Sequence, residues 1–223
     1  MALSLTAAQT RRAARAGVRI EQITVAWMLV EAALSIGAGL LAHSLLLVAF
    51  GLDSGIELIT GAILLWRLSV QAHGASLTRV ETAERQSAWV VAVALVVLCL
   101  YIVGSVGIGL LTQTRPDTSV LGLGVAAVAV ISMPLLARRK RQLATQLDSA
   151  ALRGDAACSM TCAAMAATLF VGLALNAFLG WWWAESVAAL VFLVWLIPET
   201  REALEGARAG LAACACGDDD CED

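Results

Sequence analysis

The chain has 223 residues, of which 60% are hydrophobic and only 15% are charged, and its mean hydropathy is +0.81. This composition is too apolar for a soluble domain of that length. The formal net charge of −3 conceals a strong asymmetry in where the basic residues lie.

Six apolar stretches of membrane length follow one another along the chain. A hydrocarbon core of about 30 Å needs roughly 20 apolar residues in a helix. We therefore predict an all-α polytopic membrane protein with a basic N-terminal segment (1–21), one transmembrane domain (22–200) and a tail (201–223) that ends in Cys and Asp. The predicted spans are 22–41, 45–66, 88–112, 119–137, 156–180 and 182–198.

The basic residues predict the orientation of the spans. All of the 15 Lys and Arg residues except Arg115 fall on one side of a six-span arrangement. Because basic residues favour the cytoplasmic side, both termini are expected in the cytoplasm, in a bacterial-type inner membrane. The same positions explain the basic loops without a nucleic-acid partner, and we expect none.

The second span carries two carboxylates, Asp53 and Glu57, with i, i+4 spacing. Such residues lie about one turn apart on the same helix face. Ionisable groups are costly in hydrocarbon, and they usually mark an ion or proton path. Protonation or a buried basic partner would also neutralise the pair, but no predicted span has a basic residue in its middle. The pattern predicts a cation site.

The fifth span carries two thiols, Cys158 and Cys162, with the same spacing. A cysteine in an apolar helix is more often a small packing residue. However, the second span runs inward and the fifth outward, so at about 1.5 Å per residue Glu57 and Cys162 lie at similar depth. If these helices are neighbours, two oxygens and two sulfurs complete the set needed for tetrahedral zinc-like coordination.

Three segments resemble the cation diffusion facilitators, a family of six-span metal transporters. Residues 43–57, which end Asp53-x-x-x-Glu57, resemble the family's second span, where an acidic or His residue precedes an acidic one by four. Residues 152–162, which end Cys158-x-x-x-Cys162, resemble the fifth span, where the pattern is His-x-x-x-Asp. Residues 180–185 are similar to the start of the family's sixth span.

The resemblance implies that Asp53, Glu57, Cys158 and Cys162 form one tetrahedral metal site within the membrane and that the metal is exchanged for protons. It also implies a homodimer. This chain departs from the family by its cysteines and by having no folded cytoplasmic domain after the last span, as in a divergent short form. Thiolates favour zinc, cadmium or a softer ion, so we expect Zn²⁺ as the transported ion and no organic cofactor.

Further polar residues have two interpretations each. Glu31, near the middle of the first span, is either a hydrogen-bonded structural group or an accessory proton carrier. Asp155 either receives metal at the inner mouth or occupies an ordinary helix N-terminus, which we favour. The tail cysteines Cys214, Cys216 and Cys221 form either an accessory metal-binding tract or part of a solubilising tail.

These patterns predict a transporter of divalent heavy-metal cations that exports its substrate from the cytoplasm in exchange for protons. One alternative is a membrane-anchored metal sensor or chaperone that binds metal without moving it. Another is a thiol redox protein, but redox pairs favour Cys-x-x-Cys spacing. We find no paired nucleophile and base, phosphate loop or cofactor motif, so an enzyme is not expected.

Overall fold

The protein is a bundle of α-helices. The computed structural model describes residues 7–72, 78–112, 115–147 and 150–209, and these contain six helices and no strand. The all-α class is therefore as predicted. The helices are α1 (Ala7–Leu41), α2 (Leu45–Ala72), α3 (Thr78–Thr112), α4 (Val120–Leu147), α5 (Ala150–Leu179) and α6 (Ala184–Ala209).

Five of these helices, α1 to α5, are long and apolar enough to cross a membrane. α6 is not among them because charged residues occupy its second half, from Glu199 to Arg208. The first two helices are longer than the predicted spans. α1 begins at Ala7 rather than near residue 22, and α2 continues to Ala72 rather than ending near residue 66. An apolar run ends where polar residues begin, but backbone hydrogen bonding continues through them.

The helices pack side by side around an apolar interior. α1 packs on α2, α4 on α5 and α3 on α6, while α2 also touches α5 and α6. Phe50 and Phe192 are both fully buried and meet edge to face, with ring centroids 6.5 Å apart. Large apolar side chains are exposed on all six helices, as expected for a surface that faces lipid.

Three interhelical connections meet at one end of the bundle, which we call the turn end. Asp117 N donates to Ala42 O at 2.8 Å, so the α3–α4 connection lies against the α1–α2 turn. Glu185 is buried there and accepts from Ser44 Oγ at 2.5 Å and from Asn176 Nδ2 at 3.0 Å. These hydrogen bonds join α5 and α6 to the start of α2.

The opposite end, where α1 begins and α6 ends, carries most of the basic residues, and we call it the basic end. Lys140 of α4 is fully buried there and pairs with two carboxylates, Glu21 of α1 at 3.2 Å and Asp155 of α5. Our preferred interpretation of Asp155 was wrong, because α5 begins at Ala150 and places Asp155 beyond the first turn. The carboxylate of Asp155 instead forms an ion pair with Lys140.

α1 and α2 interlock through glycines. A Cβ at Gly51 would lie 2.8 Å from the backbone nitrogen of Ile36, and a Cβ at Gly39 would lie 2.8 Å from that of Val48. Small residues allow this close approach in membrane bundles. The α1–α2 pair therefore leaves no room for a larger side chain at either position.

We predict that Gly51→Ala lowers the free energy of unfolding by about 1–3 kcal/mol, because the added methyl group meets backbone atoms that cannot rotate away. Gly55→Ala, on the same helix, is the matched control, since nothing lies within 4 Å of a Cβ there. Thermal unfolding in detergent measures both. Equal stability of the two variants would contradict the interlocked packing.

We predict that Lys140→Met destabilises the protein by about 3–5 kcal/mol, because it leaves Glu21 and Asp155 buried without their cation. Arg141→Met removes an exposed charge from the neighbouring position and should change stability by less than about 0.5 kcal/mol. Unfolding in detergent at neutral pH is the measurement. A Lys140→Met variant as stable as Arg141→Met would show that the ion pairs do not hold this end together.

Candidate metal site

The predicted acidic pair lies inside the bundle. Asp53 is 0% exposed and Glu57 is 5% exposed, one turn apart on the face of α2 that packs against other helices. Both residues follow Gly51, whose contact with α1 fixes the rotation of α2 about its axis. The sequence thus directs two carboxyl groups away from lipid and into the interior.

Asp53 has an unusual environment for a buried carboxyl group. Neither of its oxygens has a hydrogen-bond donor among the residues that the structure describes. The charged groups that act on it are the carboxylates of Glu199 and Glu31, which repel a second negative charge. Buried polar groups usually have a hydrogen-bond partner, so a buried carboxyl group without one is a position where a positive species would be stabilised.

Glu31 is held between two helices. Its carboxylate accepts from Trp27 Nε1 at 2.7 Å on its own helix and lies 2.7 Å from Ser54 Oγ on α2. This is the interhelical hydrogen bonding that one interpretation of Glu31 requires. The alternative role as an accessory proton carrier stays a prediction.

The thiols lie on the helix that faces this pair. α5 contacts α2, so the assumed neighbourhood of the two helices is confirmed. Cys162 is fully buried, and the charge that acts most strongly on it is that of Glu57, followed by those of Glu31 and Asp53. Cys158 lies one turn closer to the basic end and is half-buried.

The side chains are close but do not form a finished coordination site. Within the described ranges, no group of three or more His, Cys, Asp or Glu side chains is placed to hold one metal ion. Gathering Asp53, Glu57, Cys158 and Cys162 around a metal would therefore require side-chain or helix movement. Cys214, Cys216 and Cys221 lie outside the described residues.

Two residues that act on or near Asp53 were not assigned to the site from the sequence. Glu199 directly follows the predicted sixth span (182–198), and among the charged groups it acts most strongly on Asp53. Cys99 of α3 lies 3.5 Å from Thr200 Oγ1 and is influenced by both Asp53 and Glu199. The signal for Glu199 was its place seven residues after Phe192 and three after Leu196, which continues the buried face of α6 past Pro198.

Comparison with known proteins adds no relative. The chain matches no family model, and it matches no curated protein either. The similarity to cation diffusion facilitators therefore rests on three sequence segments, which are residues 43–57, 152–162 and 180–185.

The burial of the two α5 thiols predicts different reactivity. In single-cysteine variants with the other five cysteines replaced by serine, Cys158 should react with a small maleimide at least about 10-fold faster than Cys162, because burial keeps the second thiol from reagent and water. Labelling time courses in detergent give both rates. Equal rates would contradict the orientation of α5 described above.

Proposed function

We propose that this chain is a transmembrane transporter of divalent heavy-metal cations, with Zn²⁺ as the first choice and Cd²⁺ or another thiophilic ion as an alternative. The observation that carries the proposal is Asp53, which is fully buried without a hydrogen-bond donor among the described residues. Asp53 lies in a bundle of membrane-length helices, one turn from Glu57. Its charge is one of those that act on the Cys162 thiol.

A divalent cation supplies the charge that this environment lacks. Carboxylate oxygens from α2 and thiolate sulfurs from α5 suit a borderline-soft ion such as zinc, and they suit manganese or magnesium less well. Buried carboxylates that repel one another are stabilised when such an ion lies between them. The four predicted ligands remain Asp53, Glu57, Cys158 and Cys162.

The same ligands couple the metal to protons. A thiol and a carboxylic acid must each lose a proton before they bind a metal, so binding releases protons and protonation expels the metal. Protons that enter from outside the cell would then drive export from the cytoplasm. Because α2 and α5 carry different halves of the ligand set, a change in their spacing would open and close the site.

The topology in this proposal has six spans with both termini in the cytoplasm. α6 supports a sixth span because its outer face is apolar, with Val187, Val191 and Val194 exposed. The basic end then faces the cytoplasm of a bacterial-type inner membrane. A homodimer is part of the proposal through the family resemblance alone.

Transport by purified protein in liposomes that contain a Zn²⁺-sensitive dye tests this function. Asp53→Asn should lower the initial rate of Zn²⁺ movement about 10-fold or more, since even the loss of an outer-shell partner weakens metal sites 10- to 100-fold. Asp117→Asn, which alters an exposed carboxylate at the turn end, is the control and should transport like the parent protein. Cys158→Ser with Cys162→Ser should reduce the preference for Cd²⁺ over Zn²⁺.

The outcomes separate the candidate functions. A parent protein that binds Zn²⁺ but does not move it would overturn the transporter and favour a metal sensor. Movement that Asp53→Asn leaves at the rate of Asp117→Asn would overturn the site while leaving transport intact. An unchanged preference between Cd²⁺ and Zn²⁺ in the double serine variant would remove the thiols from the ligand set.

A further inference from the structure

Three glutamates follow one another along the second half of α6. Glu199, Glu202 and Glu205 are spaced three residues apart, so each carboxylate is adjacent to the next on the helix surface. They extend from beside Asp53 toward the basic end, where α6 finishes at Ala209. Neither the proposed ligand set nor the interhelical hydrogen bonds use them.

These carboxylates form an electrostatically continuous series that becomes more buried inward. Glu205 acts on Glu202, Glu202 acts on Glu199, and Glu199 acts on Asp53. Glu205 and Glu202 are exposed, Glu199 is half-buried, and Asp53 is completely buried. Glu199 Oε2 is itself buried and has no donor among the described residues. The series therefore connects solvent with the unsatisfied carboxyl group of the site.

No fixed cation neutralises the series within the described part of the chain. Arg201 and Arg208 are on the same helix, yet neither forms an ion pair with any of the three glutamates there. Partial burial and the carboxylate of Glu205 raise the pKa of Glu202. The glutamates also approach the C-terminus of α6, where the helix dipole disfavours negative charge.

The surroundings explain the need for such a series. All but one of the Lys and Arg residues belong to the basic end, so a divalent cation that approaches α6 meets nearby positive charges such as those of Arg201 and Arg208. A local line of carboxylates provides a negative route through this surface. Near its inner end lies Cys99, a thiol influenced by both Glu199 and Asp53.

We infer that Glu205, Glu202 and Glu199 form an acidic ladder that guides divalent cations from the basic end of the bundle to Asp53. This inference rests on the proposed transport function. The ladder raises the local cation concentration and provides successive weak contacts, while the tight ligands remain those of α2 and α5. It acts on capture of the metal and much less on the step that moves it.

The test measures initial rates of Zn²⁺ transport in liposomes against Zn²⁺ concentration. The double variant Glu202→Gln with Glu205→Gln should raise the apparent KM about 10-fold, mainly through slower capture of the ion. Asp117→Asn removes a carboxylate at the opposite end and should keep the parent KM. The double variant Glu202→Asp with Glu205→Asp retains both charges and should also keep it.

Ionic strength provides a second readout that a purely structural role would not change. Salt screens exposed charges, and the Debye length falls from about 30 Å at 10 mM salt to below about 10 Å at 200 mM. The KM of the parent protein should therefore rise over this range of salt concentration. The double glutamine variant should lose most of this dependence. Because Glu202 and Glu205 are both exposed, the double glutamine variant should keep the melting temperature of the parent protein, and this verifies that it is folded.

The results distinguish the two proposals. A double glutamine variant with the KM and salt dependence of Asp117→Asn would overturn the ladder, while a slow Asp53→Asn variant in the same assay would leave the transport function in place. A lost maximal rate with an unchanged KM would also overturn it, because that pattern indicates a role in the transport step. Absence of Zn²⁺ movement by the parent protein would instead overturn the transport function on which the ladder depends.

Discussion

A carboxylate buried in a bundle that faces lipid must have its charge compensated, and this requirement organises the protein. At the basic end, Lys140 compensates Glu21 and Asp155 with a fixed cation. At the turn end, hydrogen bonds from a hydroxyl and an amide satisfy Glu185. Between them, Asp53 has no donor among the described residues. The two ends are compensated by the protein itself, and the middle is where we propose that an exchangeable cation binds.

Helix packing gives this middle level its composition. The close contact at Gly51 brings α2 against α1, which sets Asp53 toward the interior and Ser54 against Glu31. α5 and α6 approach from other sides and add Cys162 and Glu199. Four helices thus contribute ionisable groups to one apolar interior. Their mutual repulsion in the absence of a cation is the physical basis on which we propose both the metal site and the carboxylates that lead to it.

Hydropathy and residue spacing were sufficient to predict the helical class and the position of the acidic pair inside the bundle. They failed for Glu199 and Asp155 for one reason. An apolar window ends at the first charged residues, whereas burial depends on which helix face those residues occupy, and both helices extend beyond their windows. The buried pairing of Lys140 was equally hidden, because its partners come from α1 and α5. Contacts between distant segments are not encoded in local spacing.

The interlocking glycines of α1 and α2 have a consequence for how this protein can diversify. The carboxylates belong to a helix pair that is in close backbone contact at Gly39 and Gly51, while the thiols belong to α5, which packs chiefly on α4. If Cys158 and Cys162 bind metal as we propose, replacing either by histidine or aspartate would change the softness of the ligands without entering the α1–α2 contact. In that proposal, the residues that set the metal preference and the residues that set the close helix contact lie on separate helix pairs, so one set can be changed without disturbing the other.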